Sequence, residues 1–111
     1  MPGTFEIFKD KKGEFRFRLK ASNGEIILAS EGYKAKTGVK NGVASVMKNG
    51  GLEERFEKKP GAGGKFRFLL KAGNRQIIGT SEAYETERAC QNGINSVMKN
   101  APNAKIVDTT T

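Results

Sequence analysis

Two constellations in this 111-residue chain have residue types and spacing suited to chemistry. The first is cationic. Arg16, Arg18 and Lys20 alternate with Phe15, Phe17 and Leu19, and Arg67 and Lys71 recur in Phe66-Arg67-Phe68-Leu69-Leu70-Lys71. Alternate side chains of a strand share a face, so these five cations would project together and could track the phosphates of a nucleic acid or another polyanion. The competing reading is structural: Glu6, Glu25 and Glu57 on neighbouring strands pair with them across the sheet. The second constellation is polar. Ser30, Glu31, Tyr33 and Asn41 return as Ser81, Glu82, Tyr84 and Asn92. A carboxylate among hydroxyls can do acid–base work, but separate acid and base roles need two carboxylates in unlike environments, and a duplicated set supplies two alike. The reading favoured here is that Ser and Glu satisfy backbone donors where a strand turns into a helix, with Tyr packed on the sheet edge.

Other motifs carry less. Gly61-Ala62-Gly63-Gly64-Lys65 superficially resembles a phosphate-binding loop, but such a loop needs Ser or Thr after Gly-Lys and a helix beginning there. Here Phe66 follows and starts a strand, so a flexible hairpin loop is expected. Lys12-Gly13-Glu14-Phe15-Arg16-Phe17 faintly resembles a base-stacking strand, yet its phenylalanines are needed to receive the helices. Cys90 has no His or other base beside it and reads as a small core residue.

Composition narrows the classes further. The chain has no His, no Trp and one Cys, which removes zinc sites built from His and Cys, His-based triads and an intramolecular disulfide. No cofactor is expected. Twenty Lys and Arg stand against 12 Asp and Glu, a formal charge of +8, without any tail that concentrates it. At 36% hydrophobic and 29% charged residues the composition is that of a globular protein. The start, Met1-Pro2-Gly3-Thr4-Phe5, has neither the basic region nor the apolar run of a signal peptide, so the cytoplasm is the expected compartment.

The elements that must position these residues come in duplicate. Shifting the chain by 51 positions aligns residues 4–49 with 55–100 without a gap, and about half of the pairs are identical. Phe15-Arg16-Phe17 matches Phe66-Arg67-Phe68, Ile26-Ile27 matches Ile77-Ile78, and Ser45-Val46-Met47-Lys48-Asn49 matches Ser96-Val97-Met98-Lys99-Asn100. Each copy reads as strands followed by one helix. Short strands are expected at residues 5–9 and 54–59, stronger ones at 15–20 and 66–71, and a third from residue 25 to 29 after Asn23-Gly24, a type I′ turn signal. Val39, Val43, Val46 and Met47 fall on one helical face, repeated by Cys90, Ile94, Val97 and Met98. Thr86 is the expected N-cap of the second helix, and Ala35 gives the first a weaker start. Asn49-Gly50 and Pro102 mark the helix ends. Gly42 and Gly93, mid-helix, imply close approach of helix to sheet. Residues 104–108 are a candidate closing strand, and the three threonines after them are expected to fray.

A copy of about 50 residues is marginal as an independent unit. The expectation is one domain over residues 1–111, with repeat 1 at about 1–51 and repeat 2 at about 52–111, sharing a core with both helices on one face of a common sheet.

The duplicated Leu-Lys-Ala-x-Asn, the Ser-Glu-x-Tyr group after Ile-Ile and the Asn-Gly pair in each helix resemble the YegP-like family of small bacterial proteins, from Phe5 to Asn100. The resemblance implies an α+β fold of two tandem β-β-β-α-β repeats. They form one shared antiparallel sheet, with the C-terminal strands exchanged between the halves. It supplies no catalytic residues. The expected function is therefore a non-enzymatic binding or interaction module of the bacterial cytoplasm, a monomer built as a pseudo-dimer. Its partner would be a nucleic acid or other polyanion on the basic sheet face, or an acidic or other protein at a strand edge or helix groove. No membrane association is expected.

Overall fold

The structure, a computed structural model, describes residues 3–110; the expectations placed on Met1, Pro2 and Thr111 lie outside these. The first repeat folds as β1 (Thr4–Lys9), β2 (Phe15–Lys20), β3 (Ile26–Ala29) and α1 (Lys36–Asn49). The second gives β4 (Phe56–Pro60), β5 (Phe66–Lys71), β6 (Ile77–Thr80) and α2 (Glu87–Asn100), and β7 (Lys105–Asp108) follows. The seven strands form one sheet in the order β4-β5-β6-β3-β2-β1-β7. The α+β architecture and the tandem repeat are thus as expected, with β3 and β6 meeting at the pseudo-twofold axis.

Two features refine the expectation. The sheet is mixed: β7 runs parallel to β1, pairing Thr4–Ile7 with Lys105–Asp108, while every other pairing is antiparallel. The exchange is also one-sided. The closing strand of repeat 2 crosses to β1, but repeat 1 has no counterpart, because residues 53–55 form a 3-10 turn leading straight into β4. The residues explain why β4 manages without an outer neighbour. Where β1 has buried Ile7, β4 has exposed Lys58, which reaches Glu87 at 3.7 Å; where Glu87 stands in α2, α1 has Lys36, which meets Asp108 of β7 at 2.8 Å. Lys58, Lys59 and Pro60 are residues that keep an open edge from recruiting another strand.

The backbone junction between the halves is slight, a single pair, Ala29 with Thr80. Packing makes up for it. Leu28 fills the space over Gly79, whose Cβ would lie 2.7 Å from the leucine side chain. The helices straddle the junction, α1 packing on β2, β5 and β6, and α2 on β3 and β5. One core results, with Phe5, Ile7, Phe17, Leu19 and Leu28 joined to Phe68 and Leu70 under Val39, Val43, Val46, Cys90, Ile94 and Val97. Phe5 and Phe17 meet edge to face, as do Phe56 and Phe68.

Several local expectations change. The Asn23-Gly24 hairpin is not type I′, which needs two positive φ values: only Gly24 has one, at 86°, and Ala21 N–H donates to Glu25 C=O, the pattern of a type I turn closed by a bulge. Gly50 ends α1 in right-handed conformation; a Cβ there would lie 2.8 Å from Ala101, so close packing and not a left-handed cap requires glycine. Thr109 and Thr110 do not fray, since Thr109 bonds Ile7 C=O through both N–H and Oγ1, and Thr110 bonds Asp108. Thr86 does cap α2, accepting from Ala89 N–H at 3.0 Å, and α1 has no side-chain cap. Among the described residues no helix is long and apolar enough to cross a membrane.

Candidate polyanion-binding face

Both helices cover the phenylalanine side of the sheet, so the alternate residues of β1, β2, β4 and β5 face the other way, where no element of the described residues covers them. The five sequence candidates, Arg16, Arg18, Lys20, Arg67 and Lys71, all lie on this open face, joined by Lys59. Three carboxylates face the six cations. Glu6 accepts from Arg18 at 2.5 Å and lies 3.5 Å from Lys20; Glu57 meets Lys71 at 2.5 Å and Lys59 at 4.0 Å. In each half one carboxylate thus lies between two cations, leaving a surplus of positive charge.

Asp10, just past β1, is the third carboxylate. It holds Arg16 at 2.7 Å and also accepts the N–H groups of Lys12 and Glu14, closing the β1–β2 turn. The equivalent position in repeat 2 is Gly61 of the glycine loop, so Arg67 loses its acid and, among the described residues, makes no ion pair. That loop is the expected hairpin, with Gly63 and Gly64 at φ 72° and 76°. Glu25, expected to pair with the strand cations, lies instead in the exposed β2–β3 turn; Asp10 takes the third place. The carboxylates respond to these neighbours: Glu6 is held below the usual range chiefly by its bond from Arg18, Asp10 by Arg16 and Glu57 by Lys71. These are exposed pairs that orient side chains more than they stabilise the fold.

Near the pseudo-twofold axis the open face sinks into a hollow of about 250 Å³, bordered by Phe8, Arg16, Arg18, Ile26, Ala29, Thr80 and Glu82. Phe8, half-buried, takes the Arg18 guanidinium over its ring at 4.6 Å from the centroid. Sequence reasoning missed Phe8, because it assigned a face only to the phenylalanines of the stronger strands, Phe15, Phe17, Phe66 and Phe68. The signal was its alternation with Phe5 and Ile7, which places it beside Glu6 on the other side.

The repeated polar group does not come together in one pocket: Ser30, Ser81 and Glu82 border the hollow on the open face, whereas Glu31 and Tyr33 line a separate depression with Arg75 and Ile77. Ser30 Oγ accepts Phe17 N–H at 2.9 Å and donates to Glu31 C=O at 2.8 Å, and Ser81 repeats this with Phe68 and Glu82. The serines satisfy backbone donors as expected; the glutamates contribute their carbonyls, and their carboxylates have no hydrogen-bond partner among the described residues. Tyr33 and Tyr84 are not on a sheet edge. Their rings lie under the helices, where a Cβ at Gly42 would be 2.6 Å from the Tyr33 hydroxyl and one at Gly93 would overlap that of Tyr84. Burial raises both phenols above their ordinary pKa. Asn41 and Asn92 are exposed on the helices and do not join the group. Cys90 is buried in the core, and burial pushes its thiol up, away from the reactive thiolate.

Comparison with known proteins agrees with the duplicated fold. The family described as "Domain of unknown function (DUF1508)" matches twice, at residues 10–57 and 62–108. The chain is 57% identical over 108 residues to the "UPF0339 protein in ptx operon 5'region" of Stutzerimonas stutzeri, covering 97% of each. It is 49% identical over 110 residues to YegP of Escherichia coli K12, covering 99% of this chain and all of that one. The solution NMR structure of Escherichia coli YegP, described as a protein of unknown function, superimposes with a TM-score of 0.92 over 98% of this chain and 94% of that one. A UPF0339 protein from Shewanella oneidensis, 46% identical, gives 0.90 over 97% and 92%. These relatives bear uncharacterised-protein names, none an enzyme's. With its duplicated fold and its sequence both matched from end to end, the chain belongs to the DUF1508 family, in the tandem form that YegP represents.

Proposed function

We propose that the protein is a non-enzymatic module that binds polyanions, nucleic acid foremost, through the open sheet face. The observation that carries this is the two-to-one arrangement of cations around Glu6 and Glu57, with Arg67, which makes no ion pair among the described residues, on β5 directly across from Lys59 of β4. A fully neutralised face would serve the fold alone. This one is pre-oriented by its carboxylates and retains positive charge where no element covers it, as backbone tracking of phosphates requires. The outer strands of the sheet are β4 and β7, and at the β4 edge Lys58, Lys59 and Pro60 oppose the added strand that a protein adaptor would supply.

The test is fluorescence anisotropy with labelled single- and double-stranded DNA and RNA from low to physiological salt. A face making six or more phosphate contacts loses about 10³–10⁵ in affinity between 50 and 200 mM salt. Arg67→Glu and Lys59→Glu are the informative reversals, since both side chains are exposed and neither is the sole partner of a carboxylate. Reversing Arg16 or Arg18 would break the 2.7 and 2.5 Å bonds that hold Asp10 and Glu6 and confuse folding with binding, whereas Lys59 lies 4.0 Å from Glu57, which keeps Lys71 at 2.5 Å. The expected result is tight binding at physiological salt that either reversal weakens at least tenfold. Binding confined to low salt, or indifferent to both reversals, overturns the proposal.

A further inference from the structure

We infer that the hollow beside the pseudo-twofold axis is a site for one base-and-phosphate unit of a single-stranded nucleic acid, with the Phe8 ring and the Arg18 guanidinium layered over it as its stacking platform. This rests on the polyanion reading and names the part of the ligand that the face recognises.

The argument begins with an asymmetry. The fold is duplicated, and the residues that build it are the same in both halves: Phe17 and Phe68, Ser30 and Ser81, Tyr33 and Tyr84. The hollow is not duplicated. Its aromatic wall is Phe8, where repeat 2 has Lys59; its guanidinium over that wall is Arg18, where repeat 2 has Leu69. Its floor combines Ala29 with Thr80, which are equivalent positions that differ. Phe8, Arg18, Leu28, Ala29 and Thr80 of the lining therefore stand where the two copies have diverged, set among Arg16, Ile26 and Glu82, whose counterparts in the other copy are the same.

The chemistry of the lining is mixed in a particular way. Arg16 and Arg18 provide donors for a phosphate; Arg16 also reaches Ser30 C=O at 3.4 Å, which aims it inward from Asp10. Phe8, Ile26 and Ala29 give an apolar wall and floor, and Glu82 at the rim offers an acceptor to N–H groups on a base edge. A bare polyanion such as polyphosphate uses only the first of these. A nucleotide whose base is free to leave a duplex uses all of them, and an aromatic ring beside cations on an open sheet is how sequence-tolerant single-strand binding is built.

The experiment uses two variants of the full chain. Phe8→Leu keeps an apolar side chain on the open face and removes the platform. It is expected to weaken binding of a short single-stranded oligonucleotide by roughly ten- to hundredfold, the span of base–aromatic stacking, while binding of polyphosphate is unchanged. Phe8→Trp places the only indole in a chain that has no Trp; the oligonucleotide should quench its fluorescence and polyphosphate should not. If the oligonucleotide and polyphosphate both bind, both respond to Arg67→Glu, and neither Phe8 variant separates them, the stacking site is wrong while the polyanion reading stands. If neither ligand binds, both fall. Should Phe8→Leu fail to fold, the Trp quenching decides alone.

Discussion

Arg75 occupies the turn position that Gly24 holds in the first repeat, and it does so at φ 71°, a left-handed conformation that costs an L-residue about 1–2 kcal/mol. The asparagines before them are unchanged: Asn23 and Asn74 each accept the N–H two residues on, from Glu25 and Gln76. The turn therefore survives on its Asx bond and carries the strain of arginine. Replacing Arg75 with Gly should relieve that strain, less the flexibility glycine adds to the unfolded chain, for a net gain of roughly 0.5–1 kcal/mol. Equilibrium urea unfolding measures it, and an unchanged or lower midpoint would refute it. At the same scale, Asp10 and Gly61 show how one substitution between repeats alters a distant cation: the loop that gained glycines released Arg67. That consequence is readable from the alignment only once the register of β1 and β2 is known.

At the scale of elements, the helices lie against tyrosine rings at glycine positions. Gly93 has Tyr84 and Phe68 directly over it, and the two rings are stacked at 6.2 Å between centroids. Gly93→Ala would raise helix propensity by about 1 kcal/mol, but the added methyl would overlap the tyrosine hydroxyl. Overpacking prevails, and a net destabilisation of about 1–3 kcal/mol is expected. Thermal unfolding of Gly93→Ala, Tyr84→Phe and the double variant tests this: the double variant should recover part of the loss, and strict additivity would show that the hydroxyl is not the obstacle. The repeated glycines signalled close approach in the sequence. Their partner was not legible, because Tyr33 and Tyr84 reach the helices only through the bridges that pair them with Phe15 and Phe66.

At the scale of the whole molecule, β7 covers β1 and forms one outer edge of the sheet, and Lys58 with Lys59 guards the other. Removing residues 105–111 would strip β1 of its parallel partner, of the Thr109 bonds to Ile7 and of the Lys36–Asp108 pair. At about 0.5–1.5 kcal/mol per hydrogen bond, a loss of roughly 2–4 kcal/mol is expected. The truncated chain should also associate with rising concentration in light scattering, since its new edge lacks protective charge. Ile7→Lys with Lys36→Glu, copying Lys58 and Glu87, should suppress that association; a truncated chain that stays monomeric without them would contradict the edge argument.

The sequence alone determined the tandem repeat, six of the seven strands within two residues, both helices and their buried faces, and the cations' common side. These follow from local periodicity, which depends on neighbours in the chain. Tertiary structure alone decided that β7 runs parallel to β1, that repeat 1 lacks its own closing strand, and that Arg67 is unpaired while Arg16 is not. It also decided that Phe8 borders a hollow on the open face. Each of these depends on which strands become neighbours across the pseudo-twofold fold, and the same alternating pattern is compatible with several such arrangements until the shared core selects one.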